Sequence, residues 1–167
     1  MNGVSHSGRE DYCVCHTQPE HSEVFRMVPE INWLAVILAT ISSMIIGAIW
    51  YARPVFGKRW MRLAKIDEAT MGSGVPQIIL TIIVSFITAL VLAGAAAIAQ
   101  DFYGGNFLAN TLITAVILWA GFTAARVITH DAFERRPAGL TILTIGHELV
   151  TVLVMALIIG LVGISAA

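Results

Sequence analysis

QIILTIIVSFITALVLAGAAAIA, residues 77–99, runs for 23 positions without a charge or a proline. A bilayer presents a hydrocarbon core about 30 Å thick, which roughly 20 apolar residues in a helix can cross. Three further stretches meet the same requirement, at about 31–52, 107–129 and 139–164, and none of them contains proline. Each can satisfy its backbone donors within its own helix, as lipid demands. The rest of the composition agrees: 57% of the 167 residues are hydrophobic, 13% are charged and the mean hydropathy is +0.79. A water-soluble domain carries about 25% charged residues, so too few polar groups remain here to cover a water-facing surface. The expected fold is therefore all-α: an integral membrane bundle of four transmembrane helices forming one domain over residues 27–167.

Charge orients the bundle. The connection over 53–76 holds Arg53, Lys58, Arg59, Arg62 and Lys65 against Asp67 and Glu68. The connection over 100–106 has Asp101 and no Lys or Arg, while that over 130–138 has Arg135 and Arg136, with Arg126 just before it. The first 30 residues set two arginines against five acidic residues, and the C-terminal tail is uncharged. Lys and Arg are retained on the cytoplasmic side, so the first and third connections are expected in the cytoplasm and both termini outside. A formal net charge of -1 gives no attraction to nucleic acid.

Residues 1–26 are polar, aperiodic and expected to be a disordered extension. Cys13 and Cys15 lie too close in sequence for an unstrained disulfide. With His16 and His21 they could hold a metal, but the spacing departs from the C-x(2–4)-C of structural zinc sites. Met27 opens the run into the first span, and translation starting there would make residues 1–26 an artefact. The first span lacks the basic n-region and the A-x-A site of a signal peptide.

Aromatic residues mark the ends of the first span: Trp33 at the outer end, Trp50 and Tyr51 at the inner. Such rings favour the headgroup boundary. In the segment that follows, Phe56, Trp60, Leu63 and Ala64 recur on one helical face, with Lys58, Arg62 and Lys65 on another. That pattern predicts a short interfacial amphipathic helix whose cations, Arg59 among them, meet anionic lipid. Trp33, Trp50, Tyr51, Trp60, Lys58, Arg59, Arg62 and Lys65 are the expected membrane-interface anchors.

Small residues recur every fourth position: Ala39, Ser43 and Gly47; Ser85, Ala89, Ala93 and Ala97; Ala156 and Gly160. Such stripes let helix backbones approach in lipid. They predict a compact bundle and equally suit a homo-oligomer or a membrane-protein partner, beside the lipid bilayer itself.

Arg126, His130, His147 and Glu148 are the ionisable side chains inside spans, where a charge normally faces the bundle interior or water. Arg126 and His130 lie near the cytoplasmic end of the third span and can snorkel outward. Glu148 is deeper, and Arg126 on the neighbouring helix is its expected partner. Thr144 and Thr151 share the Glu148 face, whereas His147 points about 100° away. These six residues form the candidate intramembrane polar site, read either as a proton or substrate site or as a pair that fixes helix register. His147-Glu148 begins an H-E-x-x-H pattern, but Thr151 stands where the second histidine belongs, so no helical zinc site follows. Phosphate-loop, nucleophile-elbow and dinucleotide motifs are missing, Gly72-Ser-Gly74 reads as a plain loop, and no discontinuous helix is evident. No cofactor, metal or catalytic residue is assigned.

The stretch from Gly47 to Trp60 reads Gly-Ala-Ile-Trp-Tyr-Ala-Arg-Pro-Val-Phe-Gly-Lys-Arg-Trp. It resembles the G-x-x-W-Y-x-x-P-x-F-G-x-x-W signature of domain-of-unknown-function family 1761, small bacterial membrane proteins. Ile31-Asn-Trp-Leu-Ala35 looks like that family's usual start, and Trp119-x-Gly-Phe122, Phe133-Glu134-x-Arg136 and Gly146-His147 look like later parts of it. The resemblance covers residues 27–164. It implies four spans in a bacterial cytoplasmic (inner) membrane, and no activity. Residues 1–26 depart from the pattern, in keeping with a start at Met27.

Three functions compete. An accessory or structural membrane component would use the small-residue faces and is the first expectation. A small transporter or channel-like protein would use the Arg/Glu polar site. An enzyme would need a nucleophile and base that these residues do not assemble.

Overall fold

The computed structural model of the chain describes residues 31–66 and 74–163. The N-terminal extension with its cysteines and the Met27 question, the stretch 67–73 with Asp67, Glu68 and Gly72, and the end of the fourth span at Ile164 lie outside the described residues.

Among the described residues, four helices are long and apolar enough to cross a bilayer: Trp33–Trp50, Val75–Tyr103, Phe107–Phe133 and Ala138–Val162. The first is α1 (Trp33–Trp50), started by Asn32, whose side-chain oxygen accepts from the backbone N–H of Leu34 and Ala35. A π-type turn over Arg53–Gly57 leads into the short α2 (Lys58–Ala64). The second span, α3 (Val75–Tyr103), carries Pro76 in its first turn, where a missing N–H is harmless. Gly104 and Gly105 both have positive φ, which only glycine adopts freely, and they let the chain reverse in three residues. Asn110 clasps this reversal by donating to Gln100 Oε1 and to the Gly104 carbonyl, both at 2.7 Å. The third span is broken into α4 (Phe107–Leu118), a π-type stretch over Trp119–Ala124 and α5 (Ala125–Phe133). The fourth is α6 (Ala138–Val162).

Neighbouring spans pack in chain order around a ring, and the fourth closes on the first, while the diagonal pair α3 and α6 touch little. The ends of the ring away from the basic connections meet where Asn32 Nδ2 donates to the Gly163 carbonyl at 3.3 Å. The core lies in the half of the bundle away from the basic connections. There Ala35, Val36, Ala39, Ala89, Ala115 and Ala156 are all but sealed. The small-residue stripes are spent inside the chain: Ala39, Ser43, Ala89, Ala93, Ala97 and Ala156 are all buried. Gly160 sits so tightly on Leu108 that an added Cβ would lie 3.0 Å from the Leu108 Cα. Close packing of this kind holds helices together where lipid removes the hydrophobic drive.

Toward the basic end the ring opens. Every residue of α3 from Val75 to Val84 is exposed, and burial on that helix begins only at Ala89. The resulting gap lies between the first, second and fourth spans, and it holds the polar residues considered next.

α2 has the expected amphipathic pattern but a different neighbour on its apolar side. Phe56 packs on Trp50 at a ring-centroid distance of 4.6 Å and Trp60 on Tyr51 at 5.5 Å. Leu63 meets the start of α6 at Gly139. Protein therefore takes up the face that was expected to lie in lipid, while Lys58, Arg62 and Lys65 stay exposed on the other side and the exposed Arg59 reaches Gly139 beside Leu63. Trp33 is 59% exposed at the far end of α1.

Candidate functional site

Glu148 lies on α6, fifteen residues from Gly163 and so about 22 Å in at 1.5 Å per residue. Measured from that end, a core about 30 Å thick leaves it roughly 8 Å short of the basic-side boundary. Its side chain is 41% exposed, and it lines a cavity of about 670 Å³ between the first, second and fourth spans. A carboxylate at this depth needs a partner or water. His147 Nδ1 stands 3.5 Å from Glu148 Oε1, and Tyr51, Gln77, Thr81 and Ser85 add polar groups to the walls. No Lys or Arg is among the described residues of the lining. Glu148 is the one carboxylate among the described lining residues.

His147 is the best-housed residue of the set. Its side chain is only 14% exposed, with Tyr51 at 5.0 Å and Trp50 at 5.9 Å between ring centroids. Thr151 Oγ1 lies 3.5 Å from Nε2, so one ring nitrogen faces Glu148 and the other Thr151. Gly47 leaves room on the remaining side, since a Cβ there would touch Nε2 at 3.7 Å. Tyr51 caps α1 just beyond the span; burial first, and the charge of Glu148 second, push its phenol above the usual range. Trp50 is the discordant member. Its indole Nε1 is buried without an acceptor among the described residues, which costs about 1–3 kcal/mol.

The local sequence builds this housing. The amide of Gly57 closes the π-type turn on the Ala52 carbonyl at 3.0 Å, five residues back. A Cβ on Gly57 would run into the Tyr51 carbonyl and Ala52, so only glycine lets the chain fold back on α1. The turn thereby stacks Phe56 and Trp60 against the aromatics that flank His147. Trp50 and Tyr51, expected only as boundary anchors, are walls of the site.

The expected pairing of Arg126 with Glu148 is absent. Arg126 is exposed and lines a separate hollow at the basic end with His130, Asp131, Glu134 and Arg136. The cause is the π-type stretch at Trp119–Ala124. Each extra residue in such a turn rotates everything beyond it by about 100° relative to a straight α-helix. Trp119 secures the distortion by donating from Nε1 to the Ile145 carbonyl at 3.0 Å. His147 and Glu148, though about 100° apart around α6, line one cavity. Thr144 belongs to the other hollow and spends its hydroxyl on the Leu140 carbonyl.

The basic-end hollow is a fastening between the third and fourth spans. Asp131, 7% exposed, accepts from Thr141 Oγ1 at 2.7 Å and faces Arg136 Nε at 3.7 Å. Arg136 also pairs with Glu134, which stands 3.4 Å from His130 Nδ1. His130, Asp131 and Glu134 bring one ligand atom each within 4.8 Å of one another. Arg136 already neutralises both acids, which makes a poor fit for a metal ion.

Sequence reasoning missed Gln77, Thr81 and Ser85 as cavity residues. A polar residue every fourth position at the start of the second span was their available signal. Comparison with curated proteins and with solved structures gives no match. A family model described as "Protein of unknown function (DUF1761)" matches residues 34–160, which takes in every residue of the cavity, and the chain belongs to that family.

Proposed function

We propose that the protein is a small transporter or channel-like protein that handles a cation or proton at Glu148. It would reside in a bacterial cytoplasmic membrane, with the basic connections in the cytoplasm and both termini outside. The observation that carries this reading is the carboxylate itself, open to a cavity of about 670 Å³ whose described lining has no Lys or Arg. A register-fixing carboxylate would be sealed against a permanent cation, as Asp131 is against Arg136. His147, 3.5 Å from the carboxylate, gives Glu148 a partner that a solute can displace.

The test is flux in proteoliposomes. Internal pH would be followed with a trapped dye and organic-cation uptake with ethidium, for the wild type and for Glu148→Gln. The expected result is flux above empty liposomes that Glu148→Gln abolishes while the helical spectrum stays unchanged. Flux that survives the substitution, or none in the wild type, refutes it.

A second reading, an accessory membrane component, is supported by the exposure of α3 from Val75 to Val84. A partner or second copy would cover that face. Crosslinking from Ile83→Cys that persists in Glu148→Gln favours it.

A further inference from the structure

The Glu148 cavity does not end at its polar wall. A second hollow of about 390 Å³ lies between α3 and the third span, and its lining includes Val91, Leu92, Leu118, Trp119 and Phe122. Thr88 and Val152 line both spaces. The two meet between α3 and α6, a diagonal pair that packs little. The π-type stretch supplies the far wall by placing Trp119 and Phe122 there. One space carries a carboxylate with hydroxyl, amide and imidazole groups, and the next is oily and aromatic.

Their order along the membrane normal is informative. Val152 is one helical turn beyond Glu148 on α6, counted from the basic end, and thus about 6 Å deeper. On α3, Val91 and Leu92 lie farther from the basic end than Gln77 and Thr81. The carboxylate space reaches farther toward the basic end, at Gln77 and Thr81, and the apolar space adjoins it at the depth of Glu148 and beyond. That is the arrangement of head and tail in a lipid-soluble amphipath. The exposed stretch Val75–Val84 leaves the flank of the carboxylate space uncovered by protein on the α3 side.

From this arrangement we infer that the solute is an amphipathic organic cation, an ammonium group with an alkyl or aryl tail, taken from the basic-side leaflet. This rests on the cation reading of Glu148 and names its substrate class. The ammonium sits at Glu148 and displaces His147 Nδ1; Tyr51 offers a ring face, to which cations are attracted. The tail passes Thr88 and Val152 to reach Trp119 and Phe122.

Binding of decylammonium and of methylammonium to the full chain in nanodiscs would be read from tryptophan emission, with empty discs subtracted. The wild type is expected to bind decylammonium at least tenfold more tightly than methylammonium. Glu148→Gln is expected to weaken both. Thr88→Leu, which narrows the junction without touching the carboxylate, is expected to weaken decylammonium alone by tenfold or more. Equal binding of the two amines, both lost in Glu148→Gln, would overturn the amphipath inference and leave the cation reading standing. Equal decylammonium binding in the wild type and Thr88→Leu would also overturn it. Binding unaffected by Glu148→Gln, or no binding of either amine, would overturn both. Circular dichroism and elution volume establish that each variant is folded.

Discussion

Replacing Gly160 by Ala adds one methyl group at a close crossing of α4 and α6. The new Cβ would stand 2.5 Å from Leu108 Cδ1 and 3.0 Å from Leu108 Cα. The first contact is relieved by rotating a side chain. The second involves backbone, so α4 and α6 must separate by a few tenths of an ångström. Overpacking of this kind costs about 1–3 kcal/mol, and a Gly-to-Ala change in a helix gives back up to about 1 kcal/mol. Gly94→Ala supplies the reference, because a Cβ there meets nothing within 4 Å. Both variants share the propensity gain, so the difference between them isolates the steric term. At 1.4 kcal/mol per tenfold, Gly160→Ala should have a folding equilibrium constant about 5- to 140-fold lower than Gly94→Ala. The assay is unfolding by titrated sodium dodecyl sulfate in mixed micelles, followed by tryptophan emission and far-ultraviolet dichroism. Equal midpoints for the two variants would refute the close α4–α6 crossing and the role assigned to small residues there.

Two further outcomes are expected in the same assay. Gly57→Ala forces the π-type turn open because its methyl meets backbone at Tyr51 and Ala52; it should cost about 1–3 kcal/mol and shift tryptophan emission to the red as Trp60 leaves Tyr51, whereas an unchanged spectrum would count against the turn. Arg126→Gln should change stability by less than about 0.5 kcal/mol, as exposed substitutions do; a loss of several kcal/mol would restore the Arg126–Glu148 pair that the structure lacks.

The four spans were legible because lipid allows few alternatives: about 20 apolar residues must form a helix. The family resemblance was legible in one run, Gly47 to Trp60. The candidate site was only half legible. Glu148 and His147 stood out as ionisable residues in a span, but their relation to each other and to Arg126 did not. Projecting a straight helix assumes a constant 100° per residue, and the π-type stretch at Trp119–Ala124 breaks that assumption with no proline or charge to announce it. The aromatics misled for a different reason. A ring at the end of a span fits lipid headgroups and fits a neighbouring helix equally well. Only the fold-back at Gly57 decided in favour of the second for Trp50 and Tyr51.

The bond between Asn32 and the Gly163 carbonyl has a topological consequence. With the first and fourth spans fastened at that end, the ring of helices has no privileged beginning. A short linker joining residues 31 and 163, with new termini opened at the Gly104–Gly105 reversal on the same side, would give a circular permutant in which every span keeps its direction and its neighbours.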